Sequence, residues 1–199
     1  KPDDFLPDDR EADYARALIL VNCLGERVRY APHMGKWLLY NGSKWEAEEE
    51  EVLMKISSDI LHEEYVSELN DAKRRGADEK VIKAKKAKVM AANSVGAVKS
   101  ALVFLKGMLS TKVEEWDPNS WLLNVKNGTI DLQTGEFREH RPEDMLTLMA
   151  PLVNGASATS PKWDKHLEMF LPNENIRRQV QRDVGKALVG AVLEESLDV

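Results

Sequence analysis

Between residues 121 and 139 the apolar side chains alternate every two positions instead of every three or four, and two glycine turns cut the stretch into thirds. Residues 121–125 and 129–132 flank Asn127-Gly128, and Thr134-Gly135 precedes residues 136–139. Alternation sends successive side chains to opposite faces of a pleated strand, and Asn-Gly tolerates the positive φ of a tight hairpin. The stretch predicts a three-stranded antiparallel meander. A weaker version precedes it: strands at 28–30 and 36–40, then Asn41-Gly42 reversing the chain into 44–46.

Elsewhere the rhythm is helical. Residues 14–24 predict a short helix that Gly25 would end. From residue 48 to about 75, Leu53, Ile56, Ile60, Leu61, Tyr65 and Leu69 recur at helical spacing, with glutamates in the first turn where the helix dipole favours them. Gly76 breaks this helix, Asp78 can cap a second, and Asn93 or Ser94 starts or continues a third with a stripe of Val98, Leu102, Leu105 and Leu109. A loose stretch at 151–161, rich in Asn, Gly, Ser, Thr and Pro, leads to two more helices. Pro161 opens one over 162–170, and Pro172-Asn173 separates it from another whose Ile176, Val180, Val184, Ala187 and Ala191 share a face. The expected fold class is α+β: mainly α-helical with small antiparallel β-hairpins and a meander, followed by a C-terminal helical collar. The expected organisation is a flexible acidic lead-in over 1–13, an α+β domain over 14–155, and the collar over 156–199.

Composition bounds the chemistry. The 199 residues, 43% hydrophobic and 31% charged, are those of an ordinary globular chain long enough to bury a core. One cysteine, Cys23, excludes an internal disulfide, fits a reducing compartment, and among apolar neighbours is expected to be buried packing. No window nears the roughly 20 apolar residues of a membrane span, and Lys1-Pro-Asp-Asp has no signal-peptide core, so no membrane partner and a cytoplasmic setting are expected. A missing initiator Met suggests an excised or processed piece. The net charge of −6 conceals an uneven distribution. Residues 1–13 balance to −4, and Glu46, Glu48, Glu49, Glu50 and Glu51 follow, whereas residues 73–106 hold ten Lys and Arg against only Asp78 and Glu79.

Catalytic constellations are not legible. His33, His62, His140 and His166 are scattered, without a second ligand at zinc spacing, so no metal site is expected. No nucleophile elbow is present. Gly185-Lys186 has Val180 and Ala187 where a phosphate-binding loop needs Gly and Ser or Thr, and Gly35-Lys36 has Tyr30 and Trp37 there. This chain alone should therefore not hydrolyse ATP, and it is assigned no catalytic residue and no cofactor of its own. Asp3-Asp4 and Asp8-Asp9 read as a solvated tail, not as magnesium ligands.

Two basic clusters are candidate nucleic-acid-binding residues. One is Lys80, Lys83, Lys85, Lys86 and Lys88, with Lys73, Arg74 and Arg75 upstream. The other is Arg178, Arg182 and Lys186 at successive i, i+4 positions, beside Arg177 and opposite the apolar stripe. A solubilising face is the plainer reading of each; the functional reading is salt-sensitive, sequence-independent contact with phosphates. Trp37, Tyr40 and Trp45, interleaved with Arg27, Arg29, Lys36 and Lys44, could stack bases, although tryptophans on short strands more often pack a core.

One block resembles a known family. Trp121-Leu-Leu-Asn-Val-Lys-Asn-Gly-Thr-Ile-Asp-Leu-Gln-Thr-Gly-Glu136, continuing to Arg141-Pro-Glu-Asp-Met-Leu-Thr147, is similar to the hallmark of the phage/plasmid and poxvirus primase–helicases. Gly35-Lys-Trp-Leu-Leu-Tyr-Asn-Gly-Ser-Lys-Trp45 resembles that family's first hairpin, and Pro161-Lys-Trp163 with the helix ending near Gly190 its closing helices. The likeness runs over about residues 14–193 and leaves 48–106 without a matching motif. It implies a domain immediately upstream of a superfamily-3 AAA+ helicase module, with Ser196-Leu-Asp-Val199 starting the strand that enters the ATP-binding loop. By the same resemblance the parent protein would be a hexameric DNA helicase using ATP and Mg in a domain absent here, often with a primase upstream. The expected roles are DNA engagement (single-stranded or forked), self-association into a ring, and primase–helicase coupling with other replication proteins. The alternative is a replisome interaction module with no direct nucleic-acid contact.

Overall fold

The computed structural model describes residues 9–155 and 160–190. The lead-in before Asp9, the Ala191 end of the last apolar stripe and the expected strand at Ser196–Val199 lie outside the described residues. The fold is mainly helical α+β. Helix α1 (Asp9–Leu24) leads into strands β1 (Val28–Ala31), β2 (Lys36–Tyr40) and β3 (Trp45–Glu48). Helices α2 (Glu50–Arg74), α3 (Glu79–Ala92) and α4 (Val95–Met108) follow. Next come β4 (Leu122–Val125), β5 (Gly128–Asp131) and β6 (Phe137–Arg138), then α5 (Pro161–Phe170) and α6 (Glu174–Lys186). The strands form two three-stranded sheets, ordered β1-β2-β3 and β4-β5-β6. No single helix among the described residues is long and apolar enough to cross a membrane.

The chain divides into two compact units, Lys1–Tyr40 with Glu46–Val113, and Asn41–Trp45 with Glu114–Val199. In the first, α1 packs on α4 and α2 on α3. Leu20, Trp37, Leu53, Leu61, Leu102 and Leu105 fill its core, each essentially removed from solvent. The buried positions of α2 are Leu53, Ser57, Leu61, Tyr65 and Leu69, every fourth residue, and then Ala72. Because a turn takes 3.6 residues, a four-residue step carries the stripe about 40° around the axis each time. One long helix thus contacts β2, α4, α1 and α3. Ile56 and Ile60, expected in the stripe, are half-buried at its edge.

Helix α1 ends at Leu24, as expected, but departs from expectation at its start and at Cys23. It starts at Asp9, five residues before Tyr14, and Arg16 reaches back to Asp13, an i, i+3 pair that ties the acidic first turns to the helix. Cys23 is exposed, not buried. The inner stripe is Ala17, Leu20 and Leu24, and helical spacing turns the position before Leu24 outward whatever its neighbours.

In the second unit β4 pairs antiparallel with β5 and β5 with β6. The register, Val125 opposite Gly128, makes the turn Lys126-Asn127, so Gly128 is the first residue of β5 and not part of the turn. Trp45, at the tip of the first hairpin, packs in this unit. Its indole Nε1–H donates to the Pro142 carbonyl at 2.9 Å, and its ring meets Trp116 edge-on at 5.6 Å between centroids. Asn124, also buried, donates through Nδ2 to the carbonyls of Ser43 and Leu148. Arg138 and Asp144 close a two-pronged ion pair, 2.8 and 2.7 Å, which tethers β6 to the segment after it.

Candidate nucleic-acid interface

Helix α3 carries the first basic cluster, and the helix divides it. Ile82, Lys85, Val89 and Ala92 form the side turned inward. Lys85 Nζ lies 2.8 Å from Glu68 Oε2, and the Lys88 ammonium stands over the Tyr65 ring, 5.8 Å from its centroid. Both cations are therefore partly used in joining α3 to α2. Burial is the main cause that pushes the Tyr65 hydroxyl above its ordinary pKa. Lys80, Lys83 and Lys86 are exposed at i, i+3, i+6, a stripe along the outer flank. The five lysines were expected to act together; the structure leaves Lys80, Lys83, Lys86 and Lys88 exposed, with Lys88 also over the Tyr65 ring, and turns Lys85 toward α2.

The second cluster lies on α6, whose start is capped by Asn173 accepting the Asn175 N–H. Arg178, Arg182 and Lys186 are all exposed, as the i, i+4 spacing requires. Glu174 pairs with Arg178 at 2.6 Å, and Asp183 lies 3.7 Å from Lys186. Such solvent-exposed pairs are weak, about 0–1 kcal/mol, and a phosphate can displace the carboxylate. Arg177 instead turns back, donating to the carbonyls of Leu171 and Pro172 at the end of α5.

The apolar stripe of α6 does not enter a core. Ile176 and Val184 are about half exposed, as is Leu188 just past the helix. Regular helix ends at Lys186, and Gly190 N–H donates to the Ser120 carbonyl beyond it.

The first-hairpin tryptophans are not available to bases, since Trp37 and Trp45 are each 1% exposed, whereas Tyr40 is half-buried; the Tyr30 ring lies 5.0 Å from that of Trp37. Exposed aromatics lie on α5, where the sequence singles out Trp163 only as part of a family resemblance, as well as at Tyr14 and Phe137. Trp163 and Phe170 are 43% and 65% exposed, and the His166 ring between them lies 4.6 Å from that of Phe170, tilted by 45°. Their i, i+3, i+7 spacing was legible, but that spacing is shared by core helices. Only Leu167 of α5 is buried.

Among the described residues no three His, Cys, Asp or Glu side chains converge as a metal site. A concavity of about 340 Å³ belongs to the second unit and is lined by five leucines, Met149 and Ala150 together with Asp117, Asn119 and Asn124. The Asp117 carboxylate there is engaged by the Thr147 N–H and hydroxyl, which leaves it an anchor for a loop and not a reactive group.

A comparison with curated proteins finds no match. The sequence model of the family described as "D5 N terminal like" matches residues 17–172, well over half of the chain. The match spans both sheets and all of α1 beyond its first two turns, and it includes the 48–106 stretch for which no motif was found. The chain belongs to the D5 N-terminal-like family, the domain found upstream of the superfamily-3 helicase in phage, plasmid and poxvirus primase–helicase proteins.

Proposed function

We propose that this chain is a helicase-associated domain that supports DNA replication by holding DNA phosphates near a motor carried elsewhere in the protein. The family match over residues 17–172 carries the reading. The cations assigned to it are the exposed Lys80, Lys83 and Lys86 of α3 and Arg178, Arg182 and Lys186 of α6. Lys85 and Lys88 serve it only secondarily, since Glu68 and Tyr65 already engage them. Contacts of this kind neutralise phosphates and release counterions, so they are indifferent to base sequence and weaken steeply with salt. ATP and Mg would belong to the helicase module, and the setting would be the bacterial or host-cell cytoplasm.

The test is fluorescence anisotropy of the full chain with single-stranded and forked DNA at low and moderate salt. Charge reversal of the α3 set and of the α6 set should each weaken binding, most at low salt. Unchanged affinity after both reversals would refute the assignment. A second reading, an interaction module for self-association into a ring or for another replication protein, draws on the solvent-facing Ile176, Val184 and Leu188. Large exposed apolar groups in series mark protein contacts. Concentration-dependent sedimentation without any DNA shift would favour it.

A further inference from the structure

We infer that the outer face of α5 is a stacking platform for single-stranded DNA, distinct from the cationic clusters of α3 and α6. This rests on the reading of the chain as a DNA-engaging domain and adds what form of DNA it takes. The face consists of Trp163, His166 and Phe170 at i, i+3, i+7, so the three rings share one side of the helix. Trp163 and Phe170 present large ring areas to solvent, and His166 lies against the Phe170 ring. An aromatic face accepts any unpaired base, because every base has a π surface. A duplex offers no such surface, its bases being stacked on each other.

Charge complementarity identifies the occupant. Lys162 flanks the aromatic face, whereas helical spacing puts Asp164 and Glu168, the acids of α5, on the far side. At the other end the Arg177 guanidinium sits on the carbonyls of Leu171 and Pro172, directly beyond Phe170. A strand lying along the face would thus meet a cation at each end and no carboxylate between. An aliphatic partner helix would be better served by an aliphatic stripe, which α6 presents instead with Ile176 and Val184.

The experiment measures anisotropy of labelled oligothymidylate and of a matched duplex with the whole chain, at moderate salt to suppress purely ionic binding. The variants are Trp163→Leu with Phe170→Leu, which keep an apolar surface but remove the π faces, and Trp163→Phe, which keeps one. Loss of both rings should weaken single-strand binding about fivefold to a hundredfold per base unstacked, the equivalent of ~1–3 kcal/mol each. Duplex affinity should hold, and Trp163→Phe should retain most single-strand binding. Wild-type single-strand affinity in the double leucine variant overturns the inference, as does an equal loss on duplex. Sedimentation that shows the face buried in self-association, abolished by the same variant, overturns it too. If instead the α3 and α6 reversals change nothing while the leucine variant loses single strands, the cationic assignment falls and the platform stands.

Discussion

A Cβ placed on Gly128 would lie 2.4 Å from the Arg138 carbonyl oxygen and 2.6 Å from the Phe137 ring. The meander can close only because this position has no side chain, so Gly128→Ala must push β6 away from β5. Overpacking of this kind costs typically about 1–3 kcal/mol, and a urea melt should read that loss as a lower midpoint with an unchanged slope. Arg138 makes a second sharp case. Its guanidinium grips both oxygens of Asp144, and the hydrogen bond to that carboxylate is the main cause that raises the Arg138 pKa. Arg138→Lys keeps the charge and loses the fork, so it should still destabilise the second unit, by roughly 1–2 kcal/mol for one lost charge-assisted bond. Asp144→Asn should cost about as much, and the double variant less than the sum of the two. Glu50 shows the pH side. Its carboxyl is held below its ordinary value of 4.5 chiefly by the hydrogen bond from Lys106, 2.6 Å away. A depressed folded pKa contributes stability that is present above the unfolded value and lost as pH falls through the folded one. Glu50→Gln should therefore lower the melting temperature at neutral pH and converge on wild type as the pH falls through the lowered pKa, as circular-dichroism melts across that range would record. Equal destabilisation at pH 3 and pH 7 would mean that the ion pair is not the cause.

At the scale of elements, α2 explains how one helix serves several partners. Its buried residues from Leu53 to Leu69 step by four, so the buried stripe winds around the helix, and Leu61 sits in the middle of that drift, fully buried. Leu61→Ala should cost about 2–5 kcal/mol, the range for emptying a leucine site in a core that cannot collapse, against a few tenths for the same change at exposed Val52. The elements themselves were legible in the residues because a period of two or of 3.6 is a local property. Both hairpins and five of the helices fall where apolar rhythm and turn residues put them. What rhythm does not encode is azimuth against neighbours. Cys23 has apolar residues on either side, yet one helical step from Leu24 turns it to water. The lysines of α3 look like one cluster in a line of sequence, but 100° per residue scatters them, and it took α2 with Glu68 and Tyr65 to capture two. Ile176, Val180 and Val184 lie on α6 at stripe spacing, with Ala187 just past its end; that they stay at the surface depends on what lies opposite, which no periodicity records.

For the molecule as a whole, the net charge of −6 means that any hold on DNA must come from local fields and not from overall attraction. The salt dependence then counts the cations that matter. Each phosphate neutralised contributes a slope of about −0.9 on duplex and −0.7 on single strands in a plot of log affinity against log salt. Three cations, on α3 or on α6, engaged on a duplex give a slope of about −3. Charge reversal of one set should flatten the slope by about 3 if that set touches phosphate, and leave it parallel if it acts only through the general field. The aromatic face of α5 separates cleanly in the same measurement. Stacking releases no counterions, so removing the Trp163 and Phe170 rings should lower the single-strand line at every salt concentration without changing its steepness. A slope that flattened along with the loss would show that the rings had been positioning Lys162 and Arg177 instead of holding bases themselves.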